Sequence, residues 1–303
     1  MGPNRTFGAL LGLALGGGGL LGAAAIRFLR AGLPPTGPPG QAITWHGMLL
    51  PGPGDLFIHL ISYILLTLLL GGTLRAFWRA VLSVRRARRF IADTPSGPGA
   101  HAALLHRTGG RAGLAGRIDF LADTRPLACC YGLRRTRIAV TSGMVALLDE
   151  DELEAVLRHE AYHAANRDPL RLVVADALAA IFFFLPVLAL LRDHYAVAAE
   201  LAADRHAVRG MGTERGVAAA LCKLLLRPVP PLPAGTIGAT SSLPLRVDAL
   251  LGEAVSLRPH LRPGTLLGTI AGAACLALLL VMPLSLFAGN GLLLQQHLAA
   301  ILC

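Results

Sequence analysis

Three stretches of the chain run for about twenty residues or more without a charged side chain, and that feature limits the folds open to it. Phe7–Ile26 holds 20 such residues, Leu56–Leu74 holds 19 and Thr265–Asn290 holds 26. A helix needs about 20 apolar residues to cross a bilayer, and all three segments come close to or exceed that length. The expected layout is a first transmembrane helix at 1–30, a second at 56–82, a last at 264–290 and a short tail at 291–303. Composition agrees: charged residues make up 15% of the chain, against about 25% in an average soluble domain. A hydrophobic share of 54% excludes intrinsic disorder. Five cysteines, an odd number in a long chain, do not make a disulfide framework. The first segment also carries a small-residue cleavage pattern at Ala23 and Ala25, but its apolar run exceeds the about 7–15 residues of a signal peptide.

Flanking charges orient the spans. Residues 31–55 hold no Lys or Arg and are rich in Pro and Gly, whereas Arg75, Arg79, Arg85, Arg86, Arg88 and Arg89 follow the second span. Basic residues gather on the cytoplasmic side of spans. The loop at 31–55 is therefore expected outside and the section after Arg75 inside, although Arg27 and Arg30 pull mildly the other way. The net charge of +10 does not point to nucleic acid, because the basic residues lie beside apolar segments and form no patch on a polar domain. Gly12, Gly16, Gly18 and Gly22 give the first span a small-residue stripe suited to helix packing, with a homodimer as one use for it.

A fourth apolar segment, 172–191, is interrupted by Asp176 and Pro186, leaving 15 uncharged residues from Ala177 to Leu191. As a helix these span about 22 Å, short of a bilayer core of about 30 Å.

Between the second and last spans, residues 83–263 carry enough mixed charge for a water-facing domain. Arg117–Ala122, Leu127–Tyr131 and Ile138–Thr141 read as short strands. Asp149 and Glu152 have capping-box spacing at the start of a helix whose apolar stripe is Leu153, Val156, Leu157, Ala161 and Ala164. On that helix stands His159-Glu160-Ala161-Tyr162-His163. Histidines at i and i+4 share a face and can reach one metal ion, with Glu160 beside them as a general base. Glu200 and Asp204 repeat the i, i+4 spacing on a helix expected from Asp193 to about Arg209. Catalytic zinc takes three protein ligands and leaves a fourth position open, which Glu200 would complete. Asp204 could then fix the tautomer of a ligating histidine. His194, Tyr195 and His206 are candidates for stabilising an oxyanion, although their helical phases differ from that of Glu200. Adjacent Cys129 and Cys130 read as small core residues.

With these residues in view, the sequence resembles the BlaR/MecR-type integral-membrane metallopeptidases, a group with the gluzincin arrangement of His-Glu-x-x-His followed by Glu-x-x-x-Asp. The likeness rests on Cys130-Tyr131-Gly132-Leu133, Arg137 to Gly143, Leu157-Arg158-His159-Glu160, Asn166 to Leu170 and Glu200 to Asp204. It covers about residues 100–210. The resemblance implies one zinc ion held by His159, His163 and Glu200, with Glu160 as base and an active site facing the cytoplasm. No penicillin-binding sensor domain follows the last span, which argues against direct β-lactam sensing.

The fold expected is mainly α: a polytopic membrane protein carrying an α+β zinc peptidase domain, with a re-entrant hydrophobic hairpin at about 170–195. The function expected is a zinc endopeptidase of the bacterial plasma membrane, acting on a protein or peptide at the cytoplasmic face, with a repressor as one substrate. The alternatives are a quality-control protease of the HtpX type and a catalytically inactive membrane scaffold. The lipid bilayer and a protein or peptide substrate are the partners expected, and nucleic acid is not.

Overall fold

A computed structural model describes residues 2–31, 43–45, 48–50, 53–97, 102–226, 243–253 and 262–274. The side chains of 20–59, 61–63, 65, 66 and 69 lie outside that description, as do most of the loop expected at 31–55, the last span beyond 274 and the tail at 291–303.

Described residues are mainly helical, with a small mixed sheet. The order is α1 (Pro3–Ala31), β1 (Ile43–Trp45), β2 (Met48–Leu50), α2 (Pro53–Asp93), α3 (Ala102–Arg111), β3 (Ile118–Leu121), β4 (Ala128–Tyr131) and β5 (Arg137–Thr141). Next come α4 (Ser142–Leu147), α5 (Glu150–Asn166), α6 (Asp168–Ile181), α7 (Pro186–Met211), α8 (Arg215–Leu225) and α9 (Leu243–Leu250). Residues 263–274 are helical too. Helix α2 runs 41 residues, well past the boundary expected at 82. Its arginine-rich second half contains neither Gly nor Pro, and arginine and alanine are strong helix formers, so nothing stops it before Pro95. Among the described residues no helix is long and apolar enough to cross a membrane, so helix length lends the polytopic expectation no support.

The three strands expected in the peptidase section form one sheet in the order β3-β5-β4, with β3 parallel and β4 antiparallel to β5. Side chains alternate across it. Cys130, Ile138 and Val140 face Leu153 and Leu157 of α5, whereas Leu121, Cys129 and Ala139 face Phe90 and Ile91 near the end of α2. The sheet is thus held between α5 and the end of α2, and the outer edge of β4 has no strand beside it among the described residues.

Helix α5 starts as its spacing predicts. The N–H of Glu152 donates to Asp149 Oδ1 and the N–H of Asp149 to Glu152 Oε2, both at 2.9 Å. It ends at Arg167, whose left-handed backbone (φ 54°) closes α5 and opens α6, with Pro169 in the first turn of the new helix. Helix α7 begins seven residues earlier than the start expected at Asp193, because Pro186 does not kink a continuous helix. It sits in the first turn, where a missing N–H costs nothing.

The chain reverses direction at 182–185, so α6 and α7 form an antiparallel hairpin braced by Arg192 Nη1 donating to Asp176 Oδ1 at 3.2 Å. Glycines let distant helices approach its tip. A Cβ at Gly17 or Gly18 would stand 3.6 Å from the Phe182 ring, one at Gly72 would stand 2.8 Å from the Ile181 carbonyl oxygen, and one at Gly272 would collide with the Phe184 carbonyl. Of the small-residue stripe on α1, Gly18 is used inside the chain, while Gly12 and Gly16 face open space.

Candidate metal centre

Helix α5 places His159 and His163 one turn apart, with Nε2 facing Nε2 at 3.1 Å. Their Nδ1 atoms point the other way, each onto a carboxylate: His159 to Asp204 Oδ1 and His163 to Asp168 Oδ2, both at 2.8 Å. A neutral imidazole that donates from Nδ1 presents a lone pair at Nε2. Two lone pairs facing each other at this range repel unless a cation or a proton lies between them. Glu200 completes the triangle from α7, with Oε2 3.5 Å from His159 Nε2 and Oε1 3.8 Å from His163 Nε2. The approach of α7 to α5 depends on buried alanines at 198, 199, 203 and 207, which keep one face of the helix thin.

This group fits a metal ion. Two nitrogens on one zinc at about 2.0–2.1 Å in tetrahedral geometry stand about 3.3 Å apart. The donor atoms of His159, His163 and Glu200 all lie within 4.8 Å of one another. Glu200 Oε1 is buried without a hydrogen-bond partner, as an oxygen awaiting a cation would be. Asp204 meets the nitrogen of His159 that faces away from this point.

The electrostatics follow from the packing. Burial alone would lower the His159 imidazole, but the carboxylates of Asp204 and Glu200 outweigh it and raise the group to about 10. Burial would raise Glu200, and the hydrogen bond and charge of His159 bring it down to about 2. Asp204 moves downward for the same reasons. Glu160 moves the other way: buried, it is raised above its ordinary 4.5 despite both histidines and a backbone hydrogen bond from Cys130 on β4.

Tyr195, His206 and His194 are the residues weighed as oxyanion stabilisers. Tyr195 is fully buried, its hydroxyl donating to Asp168 Oδ1 at 2.6 Å and its ring 5.5 Å from that of Phe7 on α1. His206 is exposed against Tyr162, with ring centroids 5.7 Å apart. His194 has a buried Nε2 without a partner among the described residues. Cys129 and Cys130 are buried in the core as expected, and burial lifts both thiols, Cys129 to about 12.

Two participants were not singled out from the sequence. Asp168 follows His163 by five residues, and the Pro169 beside it marks a helix start that brings it back toward the imidazole. Arg246 on α9 reaches Asp204 through Nε and Nη2, both at 2.7 Å, and Glu200 Oε2 through Nη1 at 3.0 Å. It is 42 residues from Asp204, and no local pattern marks it.

Parts of the chain are similar to proteins named Protease HtpX homolog. Identity is 33% over 139 residues with that of Thermococcus kodakarensis, covering 44% of this chain and 45% of the relative. It is 35% over 103 residues with that of Pyrobaculum calidifontis, covering 33% and 26%. A shorter stretch of 48 residues is 50% identical to that of Trichormus variabilis, covering 16% and 17%. The chain thus spans less than half the length of each of these relatives. A family description, BlaR1 peptidase M56, matches residues 59–250. Because that match takes in the sheet, the helices bearing both histidines and Glu200, and the helix bearing Arg246, and exceeds half of the sequence, the chain belongs to the BlaR1 peptidase M56 family.

Proposed function

We propose that the chain is a zinc endopeptidase of the bacterial plasma membrane, with its active site at the cytoplasmic face. The observation that carries this reading is the pair of imidazoles whose Nε2 atoms meet Glu200 while each Nδ1 is fixed by a buried carboxylate. His159, His163 and Glu200 would hold one zinc ion, which supplies Lewis acidity toward a water and a scissile carbonyl. Glu160 would act as the base that takes a proton from an attacking water and returns it to the departing amine. Asp204 and Asp168 keep both Nε2 lone pairs turned inward throughout. The open edge of β4 would receive an extended peptide as a further strand.

The membrane reading is supported by where the apolar surface lies. Leu13 and Leu15 on α1, Leu70, Leu74 and Phe77 on α2, Phe183 at the hairpin tip and Leu267 in the 263–274 helix are all exposed. Exposed apolar side chains on several elements fit a surface that a bilayer covers. The arginines after Arg75 then sit inside, and the hairpin at about 170–195 enters from the same face and returns before Glu200. Single cysteines at Arg167 and Arg209, in a background lacking the native cysteines, should both resist an impermeant thiol reagent in intact cells and both react once the cells are opened. Labelling of only one from outside would overturn this topology.

Two physiological uses share the support. One is a regulatory protease that cleaves a repressor, and the other is a quality-control protease of the HtpX type, the name carried by the relatives above. A Glu160→Gln trap analysed by mass spectrometry separates them, because it retains either a repressor or misfolded membrane proteins. The chemical test uses purified full-length chain. Glu160→Gln should keep about one zinc and lose cleavage, whereas His163→Ala should lose both. Zinc lost from Glu160→Gln but kept by His163→Ala would reverse the assignment.

A further inference from the structure

We infer that Arg246 is a positioning residue of the metal centre, a fork from α9 that makes Glu200 a one-oxygen ligand and locks the Asp204–His159 pair. The inference rests on the zinc reading above and adds a residue acting through two others.

The geometry is that of a bidentate clamp. Nε and Nη2 take the two oxygens of Asp204 at 2.7 Å each, so that carboxylate cannot rotate. Its Oδ1 is also the acceptor of His159 Nδ1 at 2.8 Å. The orientation of the His159 ring is therefore set by α9 as much as by α7. The third nitrogen, Nη1, holds Glu200 Oε2 at 3.0 Å. Oε1 is left buried without a hydrogen-bond partner. A carboxylate free at both oxygens could chelate through both and fill the position that water must occupy. Tying Oε2 to a guanidinium removes that option.

A rival account makes Arg246 only a counter-charge for two buried carboxylates. The two accounts differ in sign. A cation beside a divalent metal site repels the metal, so a pure counter-charge weakens zinc binding and its removal should tighten it. A positioning fork strengthens zinc binding, and its removal should weaken it. Lysine separates them further, because it keeps the charge and loses the planar fork.

The experiment measures the zinc dissociation constant by chelator competition on purified full-length wild type, Arg246→Gln and Arg246→Lys. The visible spectrum of each cobalt(II)-loaded form reports coordination number independently of activity. Both variants should bind zinc about 10–100-fold more weakly, as changes behind a metal ligand do, and their cobalt spectra should shift toward higher coordination. Wild-type affinity in Arg246→Lys, or tighter binding in Arg246→Gln, would overturn the inference and leave the peptidase reading intact. Where Arg246→Gln is not recovered folded, Arg246→Lys decides alone. Failure of wild type to bind zinc at all would remove the peptidase reading and this inference together.

Discussion

Asp168 is where a one-atom change should disable the metal centre with little effect on the fold. It is 1% exposed and holds two buried donors, His163 Nδ1 at 2.8 Å and the Tyr195 hydroxyl at 2.6 Å. Alanine there would orphan both at about 1–3 kcal/mol each. The sum, roughly 2–6 kcal/mol, is a large part of a typical stability of about 5–15 kcal/mol. Asp168→Asn is the sharper tool. Its amide oxygen can still accept from Tyr195, so stability should fall by only about 1 kcal/mol. Its NH2 group then faces His163 Nδ1, which must become an acceptor, and the imidazole proton moves to Nε2. Nε2 is the atom that meets His159 at 3.1 Å, so the ring can no longer ligate. Zinc affinity should drop at least about 10–100-fold, measured by chelator competition, with nitrogen NMR of the imidazoles reporting the altered tautomer. Adding Tyr195→Phe frees the amide to turn its oxygen toward His163, and part of the affinity should return. Wild-type zinc affinity in Asp168→Asn, with the Nδ1–H tautomer retained, would refute the reasoning.

Glu160 predicts a pH signature in metal-free protein. Its folded value is raised by burial, so its contribution to stability is fully present below its ordinary 4.5 and is lost as pH rises through the raised value. Metal-free Glu160→Gln should therefore melt higher than wild type at neutral pH, with the gap closing on acidification; a gap independent of pH would contradict this. Gly72→Val would put a branched side chain where even a Cβ stands 2.8 Å from the Ile181 carbonyl. It should destabilise by about 1–3 kcal/mol, read as a lowered denaturation midpoint, and an unchanged midpoint would mean that α2 and α6 do not pack as described.

Helix α5 was legible because its signals are local. Asp149 and Glu152 mark the start, the apolar stripe marks the buried face, and His159 and His163 recur at one turn. The strands were legible to within about a residue, because Gly- and Arg-rich turns bound them. What the sequence hid depends on tertiary contact. Tyr195 carries a hydroxyl that could serve an oxyanion, but in the fold its ring packs against Phe7 and its hydroxyl donates to Asp168. Arg246 lies on a short helix with no buried residue of its own, and only the folded chain shows its guanidinium reaching Glu200 and Asp204. Pro186 is different: the sequence points to a hairpin turning near it, and in the fold the chain turns at 182–185 with Pro186 opening α7.

Helix α7 is also a mechanical lever. It is a single 26-residue rod whose first residue, Pro186, sits at the glycine-lined tip and whose fifteenth is Glu200. At 1.5 Å per residue the arm between them is about 21 Å, so a tilt of about 3° pivoting at the tip displaces the Glu200 end by about 1 Å. Metal–ligand distances tolerate only about 0.2 Å. The glycine contacts with Phe182, Phe184 and Ile181 therefore set the alignment of Glu200 with His159 and His163 from a distance, and anything that loosens the hairpin tip detunes Glu200 without touching it.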